Sequence, residues 1–491
     1  MRTKNIFNPK KLMLLLFIGV IGFSGCKKFL DINQNPNNPE TADPNLLLPT
    51  VEASLGQLMG NGFQVYGGMF SQYWTQSPNS SQYKLIDQYN LRNTDFDRTW
   101  LIIYRNALQN AQLIINSKIS GIQYTQGMAY ILKAYTFQVA TDAFGDIPVA
   151  DALQGAAVNA PRYQAQSVVY DSVFNYIDKG MALLSTTGAV NPGAQDILFQ
   201  GSTAKWKAFA NTLKLKAYLR LSKVNPAKAS AGIAALYATT PAFVTADASL
   251  KYIAIGGNEN PLYNEMVALK RVENLVASNT AVKAFVKNND TRLFKFYDPI
   301  ASAPGVITAI DQGSYLQNSG KVVSLPSALV GASPNIDASA IAPVKLISAA
   351  ESAFLQAEAV ARGWAAGDVN GLYTQGITAS FTATGNPADA PAYIANAPDG
   401  QAALTAAGTV DAKVKAIITQ KYYAMCGFQG FEAWTEYRRT GYPDFLVPSV
   451  AQGAGQMPQR FLYASSEALS NGNYPGTVPA STPMWWATTG N

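Results

Sequence analysis

The chain has 491 residues, 48% hydrophobic and 14% charged, enough for one large core or two to three ordinary domains. It contains no histidine and two cysteines, Cys26 and Cys426, which excludes His-based triads, His general acid–base chemistry and the commonest transition-metal ligand. The formal charge of +6 falls to +2 once Arg2, Lys4, Lys10 and Lys11 leave with an N-terminal leader, so nothing points to a nucleic-acid or acidic-lipid partner. Carboxylate pairs need neither His nor Cys, so hydrolysis stays open.

The leader is the first element. Lys4, Lys10 and Lys11 precede an uncharged apolar run from Leu12 to Phe23, too short to span a bilayer as a helix and flanked as a signal peptide is. It closes in Phe23-Ser24-Gly25-Cys26, which resembles the bacterial lipobox, whose cysteine is acylated after cleavage. This gives a leader over 1–25 and a lipidated tether over 26–44. The tether carries three prolines and six Asn and Asp residues between Lys27 and Pro44, an irregular composition. Cys426 is then the only other thiol, and no intrachain disulfide or Cys-cluster zinc site is available.

From Asn45 to about Met59, Leu47, Leu48, Val51, Leu55 and Leu58 recur at helical spacing, opened by Asp43-Pro44. Gly60 to Asn93 mixes Gly, Gln, Asn and Ser with aromatics; helix is expected around Val65 to Tyr73 and loop from Trp74 to Leu91. Trp100, Ile103, Tyr104, Ala107, Ala111, Ile114 and Ile115 mark one face of a long helix, and Met128, Ile131, Leu132, Tyr135 and Val139 repeat it beyond Gly121, a helical hairpin. Further pairs read at 166–184 with 202–223, 345–363 with 367–383, and 411–425 with 428–438. Four pairs with large aromatics set against alanines predict tetratricopeptide-like hairpins. Between the second and third lies a long irregular tract, Pro241 to Pro343, with β-leaning runs at Leu250–Ile255 and Lys321–Leu325. The fold class is therefore mostly α, about four helical hairpins with a loop-rich capping region, and residues 45–491 form a single domain.

Several residues invite function and are weighed against structural roles. Glu351 and Glu358 lie seven apart on a helix, which suits a glycosidase pair; Glu358 and Arg362 have ion-pair spacing, and an internal network with Glu432, Glu436, Arg438 and Arg439 is the simpler reading. Gly145 and Pro148 end a helix and turn, with Asp146 between them. Trp100 and Trp206 belong to apolar faces. Trp74, Tyr83 and Tyr89 sit instead among Ser, Gln and Asn, where exposed rings beside amides would suit sugars, whose C–H faces are ringed by hydroxyls. Tyr263 and Tyr315, in the irregular tract, join them as candidate ligand contacts. Calcium stays open, since Asp/Asn-rich loops supply oxygen ligands although no twelve-residue EF-hand pattern occurs.

Taken together, Phe29-Leu30-Asp31-Ile32-Asn33 after Cys26, Trp100–Asn110, Ala134–Pro148, Glu351–Arg362, Phe431–Pro443, and Arg460–Tyr463 with Glu467 and Asn471 resemble the SusD/RagB family of outer-membrane nutrient-binding lipoproteins. The resemblance implies a helical fold of four tetratricopeptide-like pairs, a lipid anchor in the outer membrane, a SusC-like TonB-dependent transporter as partner, and an oligosaccharide or peptide ligand with no catalysis. Two rivals stay in view: a carboxylate-dependent glycoside hydrolase, and a scaffold that only contacts other proteins.

Overall fold

The computed structural model describes residues 43–451 and 453–487. The leader, Cys26 and the tether up to residue 42 lie outside the described residues. Helix α1 (Pro44–Gly60) opens on proline, whose fixed φ suits a first helical turn, and α2 (Gly62–Phe70) follows. A long rod, α3, runs through Asp97–Leu101, a π-helical stretch at Ile102–Leu108, and Gln109–Asn116. It is followed by α4 (Gln123–Phe144), α5 (Gln166–Leu183), α6 (Thr203–Arg220) and α7 (Pro226–Tyr237). After the irregular tract, which holds α8 (Asn279–Lys287), come α9 (Ala349–Ala361), α10 (Val369–Ala383), α11 (Val410–Met425) and α12 (Gly430–Thr440).

The four hairpins read from periodicity are thus α3/α4, α5/α6, α9/α10 and α11/α12, each packed in turn against its partner. Their starts are written locally: the side chains of Ser202, Ser348 and Thr409 accept hydrogen bonds from the amides of Lys205, Glu351 and Ala412, satisfying first-turn donors that the helix cannot. Gly145 ends α4 with φ of 87°, a conformation that costs glycine little. The β-leaning runs largely fail to form strands. Only their ends pair, Ala248–Leu250 with Val344–Ile347 and Leu325–Pro326 with Tyr297–Asp298, while other backbone groups of the runs make isolated bonds, Ser324 donating to Thr308 and Ile253 to Asn258.

Two packing features hold the scaffold. Helices α2 and α12 cross so closely that a Cβ on Gly67 would lie 2.2 Å from the Phe431 amide nitrogen, so a larger residue would push them apart. Beside this crossing Phe461 stacks on Phe96 (4.7 Å between centroids) and on Trp434 (5.2 Å), drawing the closing segment into the core.

The second feature is a buried ion network on α4, α6, α9, α11 and α12. Lys216 meets Glu351 at 3.1 Å and Glu432 at 3.2 Å; Arg220 meets Glu432 at 2.7 Å and Asp142 at 3.3 Å; Arg439 bridges Glu358 and Glu436 at 2.7 and 2.6 Å. Arg362 reaches Glu358 at 2.8 Å, as the i,i+4 spacing predicts. Trp486 is buried beside the guanidinium carbons of Arg220 and Arg438, 5.3 and 5.1 Å from its ring, so the C-terminal segment covers part of the network. Burial alone would push the Glu432 carboxyl up, but Arg220, Lys216 and Lys421 outweigh it and hold it at about 2. Glu351 and Glu358 are therefore internal counter-ions, as the simpler reading had it.

Candidate ligand-binding cleft

The segments carrying the five predicted aromatics do come together. Trp74–Gln76 pairs antiparallel with Leu275–Ala277, Tyr83 donates its hydroxyl to Glu265 at 3.3 Å, and the Tyr315 hydroxyl accepts from Gln88 at 3.0 Å. Their expected exposure is corrected. Trp74, Tyr83, Tyr89 and Tyr315 are buried at 1, 7, 6 and 2%, and only Tyr263 is half-buried. The Trp74 ring lies against Gly68, and Tyr89 meets Phe70 edge-on. Nor is Trp74–Leu91 simply a loop, since it contains the 74–76 strand and a one-turn helix at Lys84–Asp87.

The cause lies in the polar neighbours. They bind the segment internally instead of facing solvent: Asp87 accepts from the Thr75 hydroxyl at 2.6 Å, from the Gln76 amide at 2.9 Å, and from Gln312. Gln76 itself accepts from the Tyr83 amide at 2.6 Å. Burial pushes the Asp87 carboxyl up to about 6 despite these donors. Four of the five predicted aromatics are therefore packed inside, and none of the five lines the neighbouring cleft.

That cleft, of about 360 Å³, is lined by Thr280, Lys283, Asp311, Tyr423, Asp444 and Phe445, among others. Gln72, two residues before Trp74, ties this segment to the cleft, accepting from the Thr280 hydroxyl at 2.8 Å and from the Val447 amide at 3.1 Å. The half-buried Phe445 ring stacks near-parallel on Tyr423 at 6.4 Å and edge-on against Tyr422 at 5.3 Å. Tyr423 is fixed in turn by donating its hydroxyl to Asp399 at 2.8 Å. The rim is charged. Asp311 accepts from Asn279 at 2.8 Å and pairs with Lys283 at 3.4 Å; the Asn279 hydrogen bond, joined by Lys283, outweighs burial and holds its carboxyl below the usual range. Asp444 pairs with Lys415.

A half-open aromatic face ringed by hydroxyl, carboxylate and ammonium groups, in a pocket of ligand size, can hold an amphipathic, hydroxyl-rich molecule. Sequence reasoning missed these residues because α8, the 311 loop and the 444–447 loop are distant along the chain. The one local signal was an aromatic, Phe445, one residue beyond the Gly441-Tyr442-Pro443 turn. Among the described residues no group of three or more Asp, Glu or Cys side chains is arranged to hold a metal ion.

Helical hairpins that carry a cleft in an irregular region define a binding scaffold. The chain belongs to the SusD-like family: the family model described as starch-binding and associating with the outer membrane matches residues 36–464. Solved structures agree on the fold. A chitin-binding SusD homologue from Flavobacterium johnsoniae superposes with a TM-score of 0.76 at 24% identity, covering 91% of this chain and 98% of its own. A structure described as a chitin-binding protein gives 0.75 at 23% identity, covering 91 and 100%. A SusD/RagB family protein from Bacteroides thetaiotaomicron gives 0.76 at 22% identity, covering 91 and 99%. No curated protein matches the sequence.

Proposed function

We propose that this protein is a cell-surface lipoprotein, acylated at Cys26, that captures an oligosaccharide in the Phe445 cleft and delivers it to a SusC-like TonB-dependent transporter in the outer membrane. The cleft carries the reading: a sugar ring stacks its C–H face on Phe445 while Thr280, Asp311 and Asp444 meet its hydroxyls. The family and its chitin-binding members support a glycan over other nutrients. No helix among the described residues is long and apolar enough to cross a membrane, which is compatible with anchoring by lipid. Tyr263, half-buried, stays a candidate contact, and the other four predicted aromatics are buried as packing.

Binding without hydrolysis is favoured by the carboxylates. A glycosidase acid needs a raised pKa, whereas Asp311 is held low, and Glu351 and Glu358 are locked in buried ion pairs. The reading assigns capture no cofactor, so affinity should be unchanged by a chelator or by added calcium. Titration calorimetry of residues 27–491 against chitin, starch and other oligosaccharides, with peptides included, tests it. A glycan should bind, and Phe445→Ala should weaken it by about tenfold or more, the loss of one stacked ring. Glycan binding unchanged by Phe445→Ala, or binding of peptides alone, would overturn it.

A further inference from the structure

A second cleft, of about 340 Å³, shares no lining residue with the first. It lies where the π-helical stretch of α3 faces the 148–161 loop, and its walls include Trp100, Tyr104, Pro148, Leu153 and Pro161. Single π-helical stretches inside α-helices recur at functional sites, and this one supplies both Tyr104 and Arg105. Trp100 and Tyr104 lie 4.7 Å apart between ring centroids, and the Tyr104 hydroxyl donates to the Pro148 carbonyl at 2.9 Å, so the half-buried Tyr104 ring is fixed in place.

The two charged groups of the cleft are unequally satisfied. Glu467 is its only carboxylate, and its oxygens already accept from the Trp100 indole at 3.0 Å, the Tyr163 hydroxyl at 2.7 Å and the Asn471 amide at 3.0 Å. The charge left without a partner is a cation. Arg105 is exposed at the mouth, and among the described residues none lies within ion-pair distance of it. Gln109 and Gln154 stand beside it, Gln154 using one amide hydrogen on the Ala150 carbonyl. A ligand completing this cleft must bring an apolar face for Tyr104 and an anionic acceptor for the guanidinium, whose planar fork matches a carboxylate.

We propose that the cleft formed by Trp100, Tyr104, Arg105 and the 148–161 loop is a second binding site, selective for acidic saccharides, with the Arg105 guanidinium pairing the carboxylate of a uronic acid unit over the Tyr104 ring. It is independent of the Phe445 cleft and of the oligosaccharide reading given to it. The probe is trigalacturonate, titrated by calorimetry and by saturation-transfer NMR, with its methyl ester as the uncharged control. Wild type should bind the acid, saturably and more weakly as salt rises, and should not bind the ester. Arg105→Gln should weaken binding about ten- to hundredfold, as removal of a charge-assisted pair does, while Arg105→Lys keeps part of it and Phe445→Ala changes nothing. Arg105 is exposed, so these variants fold. Failure of wild type to bind, equal affinity for the ester, or binding unaltered in Arg105→Gln would each overturn the proposal. A neutral oligosaccharide still captured by Arg105→Gln would show the first cleft intact whatever the second does.

Discussion

Replacing Lys133 by methionine should stabilise the protein at neutral pH by about 1 kcal/mol. Lys133 lies on α4, only 5% exposed. Its ammonium donates to Gln112 and sits 4.5 Å above the Tyr176 ring and 5.8 Å from that of Phe137, with no carboxylate among the described residues in ion-pair range. Burial, with Lys179 nearby, lowers it from 10.5 to about 8. At ~1.4 kcal/mol per pH unit the buried charge costs roughly 3 kcal/mol below pH 8. Methionine fills a similar volume without charge, and forfeits a hydrogen bond of about 1 kcal/mol and a cation–π contact of about 1 kcal/mol. Between about pH 8 and 10.5 the unfolded chain binds the proton that the folded lysine releases, so wild-type stability rises with pH across that window and is flat below it in this group. The variant lacks the rise, so its advantage at about pH 7 should shrink and then reverse towards pH 10. Urea unfolding of both proteins across this range measures it. A variant less stable than wild type at neutral pH, or two parallel pH profiles, would refute the reasoning.

The buried network should respond in the opposite way. Glu432→Gln removes the carboxylate shared by Arg220 and Lys216 and leaves two buried cations undercompensated, an expected loss of about 3–5 kcal/mol in denaturant unfolding; a loss under about 1 kcal/mol would show water or rearrangement replacing the carboxylate. Because Glu432 is held at about 2, below its ordinary 4.5, its contribution is present above 4.5 and is lost as pH falls towards 2, so the wild type should lose stability there and the variant less. Glu52, fully buried on α1 and facing Asp196, is raised well above 4.5, chiefly by burial and then by that neighbour. Its folded form keeps a proton that the unfolded chain releases, so wild-type stability should fall as pH rises above 4.5. Glu52→Gln, which can still accept from the Ile197 amide that now donates at 2.8 Å, should raise the thermal midpoint at neutral pH and flatten that fall; an unchanged slope would refute the assignment.

The helical hairpins and their order were legible in the sequence because a helix face is a local pattern. Trp100, Ile103, Tyr104, Ala107 and Ala111 repeat at the helical period, and caps such as Ser202 and Ser348 stand within three residues of the amides they satisfy. The same locality exposed the ion pairing of Glu358 with Arg362. Which aromatics face solvent was not a local property. Trp74, Tyr83 and Tyr89 read as exposed because Ser, Gln and Asn surround them, and only the tertiary structure shows Asp87 and Gln76 taking up those polar groups while Gly68 and Phe70 cover the rings. The Phe445 cleft likewise exists only after folding, when Gln72 draws α8 and the 444–447 loop to one wall. Periodicity determines which face of a helix is buried. Long-range contacts between irregular segments, whose hydrogen bonds have no fixed period, decide where a ligand can enter.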